Sequence, residues 1–285
     1  MGRHTSRRWR RPLLAAVLVG AMLALSGCAD GTRFERVGMP APKTKQAHYM
    51  LDLWQWAWLA AIIVGVVVWG LIFYAVIRFR RRSDDEIPVQ TRYNLPIEIF
   101  YTIAPVVMVV VLFTFTVRVQ DKVLPNDQNA PRPDAKILVV GQKWSWTFNY
   151  VDAADGKTVH EGGTPAQPPT LYLPINKNIR FDLYSPDVIH SFWVPAFLFK
   201  MDVVPGRDNH FTLTPDRTGT FDGKCAELCG TYHSRMLFQV KVVSESDYEA
   251  HIEKLAANPD NQGEAKGTNY DNVQPGLSQE KGSEE

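Results

Sequence analysis

Four residues with soft or borderline metal ligands lie close together in the segment 225–236: Cys225, Cys229, His233 and Met236. A second histidine, His190, lies upstream within the sequence Asp-Val-Ile-His-Ser-Phe-Trp. Thiolate, thioether and imidazole groups favour copper over hard cations. One cysteine with two histidines and a methionine would suit a single blue-copper ion, whereas the second cysteine suits two copper ions bridged by two thiolates, each with one histidine. The spacing therefore predicts a copper centre.

Two other interpretations of the cysteine pair stay open at this point. Outside the cytoplasm, neighbouring thiols tend to oxidise, so Cys225 and Cys229 could form a small structural disulfide. That bridge would not explain the spacing of Glu227, His233 and Met236. Two cysteines and two histidines would also satisfy tetrahedral zinc, which leaves the methionine without a role.

The charge of the 285-residue chain is unevenly distributed although its net value is only +1. A near-neutral chain gives no argument for nucleic-acid binding. The first dozen residues are basic, and the segment 246–285 is an acidic polar tail with little apolar content. Such a tail cannot bury enough apolar surface to fold alone.

The N-terminal residues 1–27 have the layout of a secretory signal. Basic residues precede an apolar stretch from Leu13 to Leu25, which is too short for a comfortable membrane span. The sequence Leu-Ser-Gly-Cys follows and ends at Cys28. It resembles the bacterial lipoprotein signal, in which the cysteine becomes a lipid-bearing N-terminus, and the alternative is an ordinary signal with an incidental cysteine. Either way, an extracytoplasmic segment over 28–52 follows.

Two later apolar segments predict a transmembrane hairpin. Residues 53–77 are long enough to cross a bilayer and begin with a tryptophan cluster typical of a membrane interface. The arginine-rich sequence that follows makes 78–96 a cytoplasmic loop, because positive loops stay inside. The second span covers 97–119 and contains Pro105, which transmembrane helices tolerate. Everything after it is predicted to be extracytoplasmic.

One carboxylate, Glu98, lies near the cytoplasmic end of the second span. Ionisable groups inside a membrane are costly and are functional candidates by default. From its position alone, an interfacial glutamate with no specific role is favoured.

The residues 120–245 have the pattern of an all-β domain. Trp144, Trp146, Phe148 and Tyr150 alternate with polar residues, which predicts a half-buried strand with both tryptophans on the buried face. Further short alternating runs are separated by Pro and Gly, as in a β-sandwich or barrel. The polar, Gly/Pro-rich segment 152–169 is expected to be a surface loop.

In this order, the signal, the two-span hairpin, the β-domain and Cys-x-Glu-x-Cys-Gly-x-x-His-x-x-Met resemble subunit II of the bacterial cytochrome c oxidases. The resemblance covers about Gln46 to Val243 and includes Pro-Ile-Glu-Ile-Phe-Tyr at 96–101, Trp-Ser-Trp at 144–146 and Lys-Met-Asp-Val-Val-Pro-Gly-Arg at 200–207. It implies a two-helix transmembrane hairpin with a cupredoxin-like sandwich that holds the binuclear copper centre CuA.

The resemblance also implies a role for each ligand. Cys225 and Cys229 would bridge the two copper ions, and His190 and His233 would bind one ion each. Met236 and the backbone carbonyl of Glu227 would be weak axial ligands. The chain would accept electrons from cytochrome c and pass them to the haem of subunit I, where oxygen reduction is coupled to proton pumping.

Further roles follow from the same resemblance. The side chain of Glu227 would help to bind magnesium at the interface with subunit I. Trp144 would be the aromatic residue through which electrons enter, at the surface rather than buried. Glu98 would lie at the mouth of a proton pathway, which reverses the interpretation from position alone. Asp187 and Asp202 match acidic positions near the donor face and the magnesium region.

Two other functions remain as alternatives. A quinol-oxidase subunit II keeps the fold and lacks copper, and the intact ligand set argues against it. A membrane-tethered copper carrier would need exposed, exchangeable ligands.

The chain departs from the family pattern near the proposed electron entry. The residue between the two tryptophans is Ser145, where many relatives have an aromatic residue, and the segment 152–169 and the acidic tail are additional. These departures leave two donors open: a soluble cytochrome c or a membrane-held cytochrome c domain. The protein is expected in the bacterial cell membrane, in contact with lipid.

Overall fold

The structure is a computed structural model that describes residues 33–126 and 129–267. The chain divides into two compact units between Ala41 and Pro42. In the described part of the first unit, a turn is closed by hydrogen bonds from Val37 N to Phe34 O and from Gly38 N to Arg33 O. The predicted signal and Cys28 lie outside the described residues.

Two long helices open the second unit: α1 over Lys45–Arg78 and α2 over Leu95–Val123. Both are long and apolar enough to cross a membrane. Helix α1 begins well before the predicted span at 53, and α2 continues past its predicted end at 119. A run of apolar residues marks only the part of a helix that lies in the hydrocarbon core. The helix itself continues beyond that core until its backbone is capped. Pro105 lies inside α2 without ending it.

Helix α1 is joined to the β-domain at its first turn. The Thr44 hydroxyl caps the helix by accepting a hydrogen bond from Ala47 N, and Thr44 is fully buried. Lys45 N donates to Thr214 O at 3.0 Å, and Thr214 N donates to Gln46 Oε1 at 3.0 Å. The N-terminal end of the first helix is therefore fixed to the sandwich by backbone as well as side-chain hydrogen bonds.

The β-domain is a sandwich of two five-stranded sheets, with strand orders β3-β2-β1-β5-β8 and β4-β10-β9-β6-β7. The predicted architecture of two apolar helices followed by an all-β sandwich is confirmed. The strands are β1 Ala135–Gln142, β2 Ser145–Ala154, β3 Lys157–Gly162, β4 Thr170–Pro174, β5 Ile179–Tyr184, β6 His190–Val194, β7 Phe199–Val203, β8 Asn209–Leu213, β9 Gly219–Cys225 and β10 Leu237–Val243.

Aromatic side chains fill the space between the two sheets. Phe192 stacks on Phe238 with ring centroids 4.9 Å apart, and Phe181 stacks on Phe211 at 4.8 Å. Trp146, which is fully buried, meets the edge of Phe238 at 5.4 Å. Burial of such side chains contributes roughly 1.5–3 kcal/mol each, so this cluster is a main source of the sandwich's rigidity.

The prediction of a surface loop over 152–169 is wrong in its first half. Residues 157–162 form strand β3, which pairs antiparallel with β2. Asp155 and Gly156 both have positive φ, 51° and 76°. An Asp-Gly pair with this geometry forms the tight turn of a β-hairpin. The polar composition of the segment concealed a strand at the edge of its sheet.

The first part of the predicted tail is ordered against the sandwich. Helix α3, Glu245–Ala256, follows β10 directly. Beyond it, the Asn149 side chain accepts a hydrogen bond from Ala265 N and donates one to Ala265 O at 3.0 Å. Asn149 is fully buried as a result. Beyond helix α3, the tail as far as Ala265 forms backbone hydrogen bonds with residues of the existing sheet.

Candidate copper centre

The cysteine segment is the loop that connects β9 to β10. Cys225 is the last residue of β9, and its N–H donates to Met236 O at 3.0 Å, which closes the base of the loop. Within the loop, His233 begins a short 3-10 turn that ends at Arg235. Strand pairing thus holds both ends of the loop, and the potential ligands between them project from a fixed frame.

Strand β6 brings His190 to this loop. It pairs with β9 in a register that places Phe192 opposite Cys225, and Ala226 N donates to Ser191 O at 3.0 Å. The ligand atoms of His190, Cys225 and Cys229 all lie within 4.8 Å of one another. All three residues are buried.

The two sulfur atoms have matching surroundings. The Sγ atoms of Cys225 and Cys229 are 3.8 Å apart, and both are free thiols. His190 Nδ1 lies 3.9 Å from the sulfur of Cys225, and His233 Nδ1 lies 3.6 Å from that of Cys229. Each sulfur therefore has one imidazole beside it, as two thiolate-bridged metal ions would require.

Two further ligand atoms complete the cluster. The carbonyl oxygen of Glu227 is 3.1 Å from the sulfur of Cys225, and the Met236 thioether is 3.7 Å from the sulfur of Cys229. Met236 is fully buried. Four imidazole and thiol ligands would satisfy zinc without it, so the thioether pointing into the cluster favours copper. The donor set fits copper in its chemistry and in its number of sulfur ligands.

Asp187 orients His190 from behind. His190 Nε2 lies 2.9 Å from Asp187 Oδ1, and a carboxylate can only accept, so Nε2 carries the proton and Nδ1 faces the sulfur. The other carboxylate oxygen accepts from Lys143 N at 2.8 Å. Burial raises the pKa of the Asp187 carboxyl, but hydrogen bonds from His190, Lys143 and Val188 outweigh it and leave that pKa below its ordinary value.

The hydrogen bonds around Cys225 and Cys229 shift the pKa values of both thiols. A hydrogen bond with Cys229 is the main cause that lowers the pKa of Cys225 to about 3, against the effect of burial, and His190 adds to it. The pKa of Cys229 is raised, chiefly by the same hydrogen bond. Burial lowers the pKa of His190, yet its hydrogen bonds with Asp187 and Cys225 bring it above the ordinary value. Since metal ions bind thiolates, the lowered pKa of Cys225 favours the form of this residue that a metal ion would bind.

The two tryptophans differ, contrary to the alternation argument. Trp146 is fully buried and its indole N–H donates to Met236 O at 3.3 Å. Trp144 precedes the first residue of β2 and is only partly buried. The alternation pattern failed there because a strand's periodicity applies only to residues within it.

The other predicted site residues lie apart from the cluster. Glu98 is in the first turn of α2, where its carboxylate accepts a hydrogen bond from Asn94 N at 2.8 Å. Asp202 is exposed on β7, opposite Ser191, and the Glu227 side chain is exposed in the cysteine loop. Cys28 lies outside the described residues.

Sequence reasoning missed one residue that shapes the site, Gly141. A Cβ atom there would lie 3.0 Å from the Trp146 ring and 3.3 Å from His190 Cβ. The glycine lets β1 pass close to both side chains. A glycine inside an alternating apolar strand is the signal that could have marked it.

Two models of known protein families together match most of the chain. A sequence model described as "Cytochrome C oxidase subunit II, transmembrane domain" matches residues 34–119. A second, described as "Cytochrome C oxidase subunit II, periplasmic domain", matches residues 166–243. The two matches cover the helical hairpin and the part of the sandwich that contains the copper-type loop.

Individual relatives agree. A Streptomyces avermitilis protein named "Probable cytochrome c oxidase subunit 2" is 46% identical, over 89% of this chain and 90% of the relative. Cytochrome c oxidase subunit 2 of Mycobacterium bovis is 35% identical over 87% and 83%, respectively. The periplasmic domain of subunit II of cytochrome oxidase of Bradyrhizobium japonicum aligns with a TM-score of 0.41 and 30% identity, over 45% of this chain and 96% of that one. The two family models and the two sequence relatives show that the chain belongs to the cytochrome c oxidase subunit II family.

Proposed function

We propose that this subunit carries electrons from a cytochrome c donor through a binuclear copper centre to the haem of subunit I in a proton-pumping terminal oxidase. The observation that supports it is the paired arrangement of two free thiols, each with one imidazole beside it, and a thioether and a carbonyl on opposite sulfurs. A copper-free quinol-oxidase subunit would have no use for this set.

Each residue of the cluster has a role in this proposal. Cys225 and Cys229 would hold both metal ions, His190 and His233 would bind one ion each, and Met236 would be a weak further ligand. The backbone carbonyl of Glu227 would be the other weak ligand. Two copper ions held by these residues would supply a one-electron couple. Four of the proposed ligand residues, His190, Cys225, Cys229 and Met236, are buried, which fits electron transfer better than release of copper by a carrier.

The protein environment limits the structural change that accompanies a change of charge. Asp187 fixes the ring of His190, and strand pairing fixes both ends of the cysteine loop. Trp146 donates to the carbonyl of Met236. A site that moves little between oxidation states exchanges electrons quickly, because little reorganisation precedes each transfer.

The remaining roles are part of the same proposal. Trp144 is the aromatic residue at which electrons enter, and Glu98 lies at the mouth of a proton pathway in the complex. The exposed Glu227 carboxylate binds magnesium together with groups of subunit I. Asp202 contributes an acidic group to the extracytoplasmic surface of the sandwich. Cys28 bears a lipid that anchors the mature N-terminus, and the sandwich lies on the extracytoplasmic side of a bacterial membrane.

The copper content and electron paramagnetic resonance spectrum of the purified oxidase test the copper proposal. We expect two copper ions in this subunit and a hyperfine pattern from one electron shared over two copper nuclei. Cys225→Ser should abolish that pattern, because one sulfur cannot bridge both ions in the same way. Asp222→Ser changes an exposed residue of the same strand and is the matched control, with copper content and spectrum unchanged.

Three results would contradict the proposal in different ways. The pattern of a single copper nucleus would mean a mononuclear site. Absence of copper together with an oxidised Cys225–Cys229 pair would support the quinol-oxidase alternative. An unchanged copper spectrum in Cys225→Ser would reject the bridging role of that cysteine.

A further inference from the structure

The indole ring of Trp144 lies against the copper-type loop. A Cβ atom built on Gly230 would be 3.1 Å from both Cζ2 and Nε1 of this ring, so the ring passes directly over the backbone between Cys229 and His233. Gly230 has φ of +123°, a conformation that side chains rarely adopt. The loop therefore leaves space for the indole at the position where a side chain would otherwise stand.

Packing alone holds this ring. Among the described residues, the buried Nε1–H of Trp144 has no hydrogen-bond partner. By contrast, the indole of Trp146 donates to a backbone carbonyl. Because no hydrogen bond fixes the direction of the Trp144 ring, its position depends on the side chains that touch it.

The side chain that meets this ring from the loop is Tyr232. The two ring centroids are 5.3 Å apart and the planes are at 81°, an edge-to-face contact of the kind that contributes about 0.5–1.5 kcal/mol beyond area burial. Tyr232 is partly buried and directly precedes the ligand His233. Its carbonyl accepts from Arg235 N at 2.8 Å, which fixes Tyr232 to the turn that carries that ligand.

We infer that Tyr232 is a positioning residue for electron transfer: it holds the Trp144 ring at a fixed distance from the copper ligands. This inference rests on the proposed function, in which electrons enter at Trp144. Tyr232 acts through the shape of its ring, so phenylalanine should replace it and leucine should not. The rate of electron transfer falls steeply with distance. A Trp144 ring that moves away from the loop therefore slows electron transfer, although the metal site itself is unchanged.

The test is the rate at which reduced membranes that contain the assembled oxidase oxidise the haem of a c-type cytochrome, bound in the membrane or added in soluble form, after an oxygen pulse. Tyr232→Leu should slow it several-fold, because the Trp144 ring then lacks its edge-to-face partner on the loop and can move away from it. Tyr232→Phe should keep the rate of the unsubstituted protein. Tyr172→Leu is the matched control: this half-buried tyrosine stacks on His251 at 3.7 Å and should leave the rate unchanged.

A double variant separates positioning from a general structural effect. If Tyr232 acts only through Trp144, then adding Tyr232→Leu to Trp144→Leu should cause no further loss. The copper spectrum of Tyr232→Leu should match that of the unsubstituted protein, and direct reduction of the purified oxidase by hexaammineruthenium(II) should keep its rate.

The possible outcomes distinguish this inference from the function beneath it. An unaltered haem oxidation rate in Tyr232→Leu, an additive loss in the double variant, or a changed copper spectrum would overturn the positioning role alone. Failure of the unsubstituted membranes to oxidise a c-type haem would instead overturn the proposed electron donor.

Discussion

Asp187 forms hydrogen bonds both with His190, a proposed copper ligand, and with the residue before Trp144, where electrons are proposed to enter. One of its oxygens receives the Nε2–H of the ligand His190, and the other receives the backbone N–H of Lys143, next to Trp144. A single carboxylate therefore orients a proposed metal ligand and fixes the turn that precedes the partly buried Trp144. Its lowered pKa means that it stays ionised, and so remains an acceptor, over the whole neutral range.

Asp187→Asn is expected to weaken copper binding by about 10–100-fold, as is typical when a partner of a metal-bound histidine is lost. The amide has one acceptor oxygen, so it cannot receive both N–H groups on separate oxygens as the carboxylate does. Chelator competition on the purified full-length chain would measure the loss. Asp202→Asn is the control, because that carboxylate is exposed on the neighbouring strand. Equal copper retention in both variants would contradict the positioning role of Asp187.

At the residue scale, the membership of the thiol, imidazole and thioether cluster could be predicted from the sequence, and the placement of the Trp144 ring could not. The spacing of Cys225, Cys229, His233 and Met236 limits the metal chemistry whatever the fold around it. The contact between Trp144 and Tyr232 joins residues far apart in sequence. It depends on the end of a strand and the path of a loop, which no local pattern specifies.

At the element scale, the close pairing of β9 with β10 supports the loop that both strands flank. Gly223 lies opposite Phe238 in the register, and the Phe238 ring occupies the space above the glycine. The same ring contacts Phe192 and Trp146 in the core. The glycine thus allows the aromatic cluster to extend directly beneath the cysteine loop.

Gly223→Ala is expected to lower the free energy of unfolding by about 1–3 kcal/mol, the usual cost of adding a methyl group to a well-packed core. A Cβ there would lie 2.2 Å from two ring atoms of Phe238, so the ring would have to move. Thermal unfolding of the purified chain, followed by circular dichroism, measures the loss. Asp222→Ala changes the exposed neighbour on the same strand and should stay within about 0.5 kcal/mol. Equal stability of the two variants would contradict this account of the pairing.

The elements that sequence reasoning found were those with strong periodicity. Ile179, Phe181 and Leu183 alternate cleanly and form the buried face of β5. Strand β3 was missed because only Val159 among its residues is fully buried, so its alternation is weak. The Asp155–Gly156 pair was a usable hairpin signal that the polar composition outweighed.

At the scale of the whole molecule, the sandwich and the first helix are joined rather than linked flexibly. The segment from Lys43 to Gln46 forms hydrogen bonds with the strand end at Thr214, and Thr44 pairs with Pro215 as an isolated bridge. His48 adds a contact with Asp216 at 2.8 Å. An electron-transfer domain gains from such a junction, because its distance from an acceptor in the membrane is then fixed by the helix.

The direction in which the hairpin crosses the membrane decides whether the proposed function is possible. The arginine-rich end of α1 should lie in the cytoplasm, since basic loops stay inside, and the sandwich should lie outside. A membrane-impermeant maleimide should label Lys136→Cys, exposed on β1, in spheroplasts. It should label Ser83→Cys, in the loop between the helices, only after permeabilisation. The unsubstituted chain gives the background, which should be low because Cys225 and Cys229 are buried and the sulfur of Cys28 carries the proposed lipid. The opposite pattern would place the copper ligands on the cytoplasmic side, away from an extracytoplasmic cytochrome c, and the proposed donor would have to be abandoned while the copper chemistry of the loop stayed intact.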